Sequence, residues 1–371
     1  MKKLLTIIGT RPEIIKMSTL IPELDRAFEH VLVDSGQHYS ARMHAIFFEE
    51  LKLRSPDYSL KVGSHRPAKQ VALILERFEE VLLNVRPAAV VVQGDTNTAL
   101  AGALAASKHR DTGVRIIHIE AGARSFIRDQ PEEINRKLVD QMSDLLFASC
   151  EEDLDNLKRE GIDGGRIRVV GNTIVDGCRR IAATLDGTPE AGRYGLEPGS
   201  YVFATFHRQE TVDDESRLHA VCEALGEISS RIPVIIALHP RTRKMLEQRQ
   251  ATLEGPGLHV IEPLGYRSAV SLLKDSRLCM TDSGGVQEEA AVLSIPTLVL
   301  RESTEHIRYV KAGMHVVVGT DRSRIVNEAS FLLGNQKEYD RRKNSRISFV
   351  ENTTARIVRE IESFLARPDA L

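Results

Sequence analysis

The sequence predicts an α/β fold of two doubly wound parallel sheets, and three observations predict it. Short β-branched and apolar runs alternate with longer amphipathic stretches from end to end. These runs lack the polar–apolar alternation of a strand with one wet face, so they read as strands covered by helices on both sides. The pattern then restarts in the second half of a 371-residue chain, a length that suits about two domains.

In the first half the predicted strands are Leu4–Ile8, His30–Asp34, Ala89–Gln93, Arg115–His118, Leu145–Ala148 and Arg168–Val170. Amphipathic stretches at Gln70–Leu83, Thr98–Lys108 and Glu133–Met142 read as the covering helices. Beyond Gly171–Gly177 come Tyr201–Phe206, Val234–Leu238, His259–Ile261, Leu278–Thr281 and Thr297–Leu300, the strands of a second unit. Thr184–Ser200 carries Gly, Pro and short polar residues and reads as the linker or its exit. The expected division is 1–176 and 177–350, with a cleft between the two domains. A last helix at roughly Thr354–Ala366, within 351–371, is compatible with either domain. There is no internal repeat and no low-complexity tract.

Composition narrows the function. Hydrophobic residues are 42% and charged residues 27%, the balance of an ordinary globular chain. Fifty Lys and Arg against 52 Asp and Glu leave a net charge of -2, so no bulk basic field holds nucleic acid or an anionic membrane. Aromatics are 5% with no Trp, which argues against base-stacking platforms. Cys150, Cys178, Cys222 and Cys279 form no CxxC pair and read as scattered thiols of a reducing cytosol, not as disulfides or zinc ligands. The Leu4–Ile8 run is too short for a signal-peptide core, and no apolar stretch approaches the ~20 residues of a membrane span. The expectation is a cytoplasmic protein with no nucleic-acid or membrane partner and no metal.

In doubly wound sheets ligands sit at the carboxyl ends of the strands. After the first strand comes Gly9-Thr10-Arg11-Pro12-Glu13-Ile14-Ile15-Lys16. Pro12 suits a first helical turn, and Arg11 and Lys16 near that helix start would attract phosphate; a plain βα turn with solvated charges fits equally. No GxGxxG is present, which leaves a tightly bound nicotinamide unsupported. Gly94-Asp95-Thr96 follows another strand, where Asp95 either caps a helix or serves chemistry. Glu120 follows the next, and Glu132 and Arg136 share a helix face as a possible i,i+4 pair. Three carboxylates with Arg beside strand ends are the makings of an acid–base site. In the second half His207-Arg208 and His239-Pro240-Arg241 close adjacent strands, an anion-binding pattern. Asp282-Ser283-Gly284-Gly285 opens a helix whose bare backbone admits a pyrophosphate, and Glu289 one turn in suits two ribose hydroxyls.

Taken together, these segments resemble the non-hydrolysing UDP-N-acetylglucosamine 2-epimerases. The matching pieces are Gly9-Thr10-Arg11-Pro12-Glu13, Gly36-Gln37-His38, Gly94-Asp95-Thr96, Glu120-Ala121-Gly122, Pro131-Glu132-Glu133-Ile134-Asn135-Arg136, Gly171-Asn172-Thr173, His207-Arg208 and Asp282-Ser283-Gly284-Gly285-Val286-Gln287-Glu288-Glu289. They occur in the family's order from about residue 4 to 320. The resemblance implies two Rossmann-like domains of the glycosyltransferase-B type, commonly a homodimer, with the last helix packed back on the first domain. It implies interconversion of UDP-GlcNAc and UDP-ManNAc without NAD or metal, in supply of surface polysaccharide. By carry-over, Asp95, Glu120 and Glu132 are the acid–base groups, Arg136 orients them, and His207 stands on the diphosphate side. Arg11, Lys16, Ser283, Gly284, Gly285, Glu289 and His306 are the UDP-binding set, and Gln37, Arg208 and His239 the candidates for a second, activating UDP-GlcNAc. A 2-epimerase of another nucleotide sugar, such as a UDP-diacetamido-uronic acid, is the alternative, and a glycosyltransferase with the same nucleotide domain a more distant one. Pro12 disfavours the hydrolysing relatives, which tend to lack it.

The chain also departs from the family pattern. After Ser303-Thr304-Glu305 the family usually continues Arg-Pro-Glu, whereas His306-Ile307-Arg308 stands here. The Arg expected at the diphosphate is thus His306, unless Arg308 or Arg301 substitutes. Ala269 replaces an aromatic that many members carry near the base. The Gln37-His38-Tyr39-Ser40-Ala41-Arg42-Met43 run is two residues longer than the family's usual form.

Overall fold

The computed structural model describes residues 1–37, 41–185 and 189–367. The chain divides into two units, Met1–Gly177 with Phe349–Leu371, and Cys178–Ser348.

The first unit is a seven-stranded sheet of β1 (Lys3–Ile8), β2 (Glu29–Asp34), β3 (Tyr58–Ser59), β4 (Ala89–Gln93), β5 (Arg115–Ala121), β6 (Leu145–Ala148) and β7 (Ile167–Val169). Its spatial order is β3-β2-β1-β4-β5-β6-β7, and every pairing is parallel. Parallel neighbours need crossovers, and the helices that supply them cover both faces. Leu4, Leu5, Ile7 and Ile8, and Val90 to Val92, are therefore wholly buried, which is why these runs show no alternation. The expected helices are present as Pro67–Val85, Asn97–Lys108 and Pro131–Met142. Tyr58–Ser59 was not expected: two exposed residues at a sheet edge carry no apolar signal.

The second unit is a six-stranded sheet of β8 (Val202–Thr205), β9 (Val234–Ala237), β10 (Leu258–Ile261), β11 (Leu278–Thr281), β12 (Thr297–Val299) and β13 (His315–Val317), in the order β10-β9-β8-β11-β12-β13. Both sheets reverse direction beside their first strand, the doubly wound pattern.

The chain passes from one unit to the other inside the helix Thr173–Ala183, so Thr184–Ser200, expected as the linker or its exit, begins just beyond the crossing and belongs to the second unit. Within that segment the 3₁₀ turn Glu190–Tyr194 buries Ala191 in the second unit's core with Tyr201 and Leu272, because its few apolar residues complete that sheet's outer layer. The closing helix, Thr353–Ala366, belongs to the first unit and buries Ile357, Ile361 and Leu365, one face at i,i+4 spacing. The Thr354 N–H and hydroxyl both donate to Asp176 at 2.9 Å, and Arg115 donates to the Phe364 carbonyl at 2.9 Å.

Candidate active site

In the first unit the polar residues gather at the carboxyl ends of β1, β2, β4 and β5, neighbours in the sheet although far apart in sequence. Gly9 ends the first of these strands because nothing larger fits: a Cβ there would run into Ser35 Oγ and Thr98 Oγ1. Thr10 and Glu13 then form a reciprocal capping box at the start of the helix Arg11–Met17. Glu13 is buried, and its carboxylate accepts from the Gly9 and Thr10 amides at 3.0 and 2.7 Å and from Thr96 Oγ1 at 2.8 Å. Burial pushes its pKa up to about 7 against the pull of these hydrogen bonds. Glu13 thus pins the β1 turn to the β4 turn. Arg11 is half-buried, its guanidinium 5.9 Å from the Phe47 ring centre, and burial lowers its pKa from the ordinary value.

Lys16 stands in the last turn of that short helix, not beside its N-terminus as expected. Five positions beyond Arg11 the side chain leaves the helix's far end, where the ammonium meets Glu120 at 2.5 and 2.6 Å from the two carboxylate oxygens. Gln93, the last residue of β4, donates to Glu120 Oε2 at 2.6 Å. Glu120 itself sits at φ +68, where the pairing of β5 with β6 shifts register between Ile119 and Ala121. A left-handed glutamate is uncommon and marks stored strain.

Asp95 receives Arg136 Nη2 at 2.5 Å, and its backbone carbonyl accepts from Asn135 Nδ2 at 2.9 Å. Thr96, not Asp95, caps the helix Asn97–Lys108, through the Ala99 amide. That leaves the Asp95 carboxylate, about a third exposed, on Arg136. Arg136 also bonds Glu133 at 3.1 Å. Burial alone would raise the Glu133 carboxyl, but the Ser125 amide and Arg136 hold it below its ordinary value. Glu132 is half-buried in the first turn of the helix Pro131–Met142. Gln37 accepts from Thr98 Oγ1 at 2.7 Å; His38, Tyr39 and Ser40 lie outside the described residues.

In the second unit Asp282 organises the ends of β8 and β11. It is wholly buried and accepts from the His207 amide at 3.1 and 3.0 Å and from the Arg208 amide at 2.8 Å. Burial pushes its pKa up to about 6, with those amides opposing. The His207 ring stacks on His239 with centres 4.7 Å apart, and His239 Nδ1 caps the helix Pro240–Arg249 by accepting from the Arg241 amide at 3.1 Å. His207, Arg208 and His239 are therefore one cluster. Ser283 stands at the N-cap position of the helix Gly284–Val292, which includes Gly285 and Glu289. A Cβ on Gly284 would lie 2.7 Å from Glu305 Oε1 and 3.1 Å from His306 Nε2, so these two side chains crowd the helix start. Arg301 is buried and committed to Glu210 at 2.9 Å and Glu305 at 2.8 Å. Arg308 stacks over Tyr309 and donates to its hydroxyl at 2.6 Å. Of the three candidates for the diphosphate cation, His306 is the one against the glycine turn. Buried Tyr266 has its phenol pushed up by burial and then by the charge of Glu289.

Sequence reasoning did not single out Glu13, Gln93, Glu133, Asp282 and Glu305, which the structure places at the centre of these hydrogen-bond networks. A signal existed for two of them: Gln93 is polar at the end of a wholly buried apolar strand, and Asp282 follows one. Among the described residues no group of three or more His, Cys, Asp and Glu is placed to hold a metal ion, and no helix is long and apolar enough to cross a membrane.

Two doubly wound units with polar residues crowding their strand ends define the class: Rossmann-like α/β proteins of the glycosyltransferase-B kind. Residues 22–362 match the family model described as UDP-N-acetylglucosamine 2-epimerase, and the chain belongs to that family. It is 41% identical over 346 residues to the UDP-N-acetylglucosamine 2-epimerase of Methanocaldococcus jannaschii, covering 91% of this chain and 94% of that one. It is 42% identical over 337 residues to the UDP-2,3-diacetamido-2,3-dideoxy-D-glucuronate 2-epimerase of Pseudomonas aeruginosa, covering 90% and 92%. The crystal structure of the M. jannaschii UDP-GlcNAc 2-epimerase in complex with UDP-GlcNAc and UDP is similar with a TM-score of 0.89 and 40% identity, over 97% of this chain and 99% of that one.

Proposed function

We propose that this protein interconverts UDP-GlcNAc and UDP-ManNAc by eliminating and re-adding UDP. The observation that carries the reading is the first unit's rim, where Lys16 and Gln93 clamp Glu120 and Arg136 holds Asp95. The hydrogen on sugar C2 is not acidic in the ground state. When the C1–O bond breaks, its electron pair leaves with the UDP β-phosphate and C1 gains oxocarbenium character. A carboxylate then takes the C2 proton, the C–H pair forms the C1=C2 bond, and a 2-acetamidoglucal results. Reprotonation on the opposite C2 face and return of UDP to C1 complete the inversion. Asp95, Glu120 and Glu132 are the proposed proton carriers. Arg11, Lys16, His207, His306 and the Ser283–Gly285 turn are proposed to stabilise the departing diphosphate, with Glu289 on the ribose. Gln37, Arg208 and His239 remain the proposed activator residues.

A diacetamido-uronate substrate is the second reading, favoured by the 42% identity to the P. aeruginosa epimerase. We further propose a cytoplasmic homodimer serving polysaccharide precursor supply, as the family resemblance implies; light scattering in solution tests the dimer. The deciding experiment is proton NMR of the protein with each UDP-sugar in deuterated water. A UDP-ManNAc anomeric signal with deuterium at C2 supports the first reading. Turnover of the uronate alone would replace it with the second, and free ManNAc would mean a hydrolase.

A further inference from the structure

We infer that Asp140 is a positioning residue, bracketing the strained Glu120 backbone from both sides. The inference rests on the role proposed above for Glu120. Asp140 lies on the helix Pro131–Met142 and is wholly buried. Its Oδ1 accepts from His118 Nδ1 at 2.7 Å, two residues before Glu120. Its Oδ2 accepts from the Gly122 amide at 3.2 Å, two residues after. Between those anchors the chain makes the register shift and the left-handed turn that aim the Glu120 carboxylate at Lys16 and Gln93.

The same carboxylate reaches the second acidic group. His118 Nε2 lies 2.8 Å from the Gly94 carbonyl oxygen, on the residue before Asp95. Both ring nitrogens thus face acceptors, one on the helix and one on the β4 turn. Arg124 Nη2 meets Asp140 Oδ2 at 2.6 Å and also grips Glu160, so the buried carboxylate is compensated on every side. A rigid buried network of this kind supports a reacting group without touching it, and its loss lets a strained residue relax toward an ordinary conformation.

The test compares full-length wild type with Asp140→Asn, which keeps the shape and removes the charge. We expect kcat with UDP-GlcNAc to fall by about thirtyfold while KM stays within about threefold. By mass spectrometry, amide exchange at Gly122 should speed up about tenfold or more, while exchange along β1 is unchanged. Unchanged kcat, or exchange that rises equally in β1, would reduce Asp140 to a general structural role and overturn the inference. Should Asp140→Asn not yield folded protein, His118 decides through rescue. His118→Ala should lose kcat, and His118→Gln, which still offers one donor to Gly94, should regain part of it; equal rates for the two would overturn the inference. A wild type inert on UDP-GlcNAc would sink the functional reading instead, and the Gly122 exchange comparison would still judge the bracket.

Discussion

Glu13→Gln isolates the cost of one buried charge. Glu13 has a pKa of about 7 in the folded protein against an ordinary 4.5, and burial is the leading cause. A carboxyl whose pKa is raised on folding holds its proton more tightly in the native state. Its stabilising contribution is fully present below pH 4.5 and is lost as pH rises through 7. Between pH 5 and pH 8 this linkage removes on the order of 2–3 kcal/mol from the first unit. The amide introduced by the substitution cannot ionise, so the variant should not show that loss, whatever the constant difference in hydrogen bonding to Gly9, Thr10 and Thr96. The assay is amide exchange of the buried β1 strand, measured for both proteins at each pH so that the intrinsic exchange chemistry cancels. Relative to the variant, wild-type opening should increase by roughly one to two orders of magnitude from pH 5 to pH 8. Parallel behaviour of the two proteins across that range, or relative stabilisation of the wild type, would refute the reasoning.

Asp95→Asn, Glu120→Gln and Glu132→Gln should each keep UDP binding, read by calorimetry, and lose most turnover; an unchanged rate in all three would remove the carboxylates from the mechanism. Gly9→Ala should cost about 1–3 kcal/mol by overpacking against Ser35 and Thr98, read as a lower thermal midpoint. His239→Ala deletes a helix cap and the stack on His207, and should cost about 0.5–2 kcal/mol of stability in the second unit, read by chemical denaturation. His306→Arg should tighten UDP, because a guanidinium presents more donors than the imidazole now beside Gly284; flat affinity would place His306 away from the diphosphate.

Much of the fold was legible locally. A wholly buried strand needs an unbroken apolar run, and a crossover helix needs a covered face, so Leu4–Ile8 and Ala89–Gln93 announced themselves and their ends located the candidate residues. Tyr58–Ser59 did not, because a two-residue exposed edge strand needs no apolar residues at all. Thr184–Ser200 was legible only as the exit from the crossing, because loop-like composition does not reveal that Ala191 packs in a core.

Partner choice at the site was a different matter. Lys16 and Glu120 lie 104 residues apart, and Arg136 and Asp95 lie 41 apart. Their pairing follows from a sheet order that sets β1, β4 and β5 side by side, an arrangement that no local periodicity encodes. Sequence alone therefore determined which residue types stand at the strand ends, since secondary structure is written in nearest-neighbour patterns. Only tertiary structure decided that Lys16 faces a carboxylate and that Asp140 straddles Glu120. Short-range ion pairs and hydrogen bonds require atoms within about 3 Å, and only the folded sheet delivers that proximity.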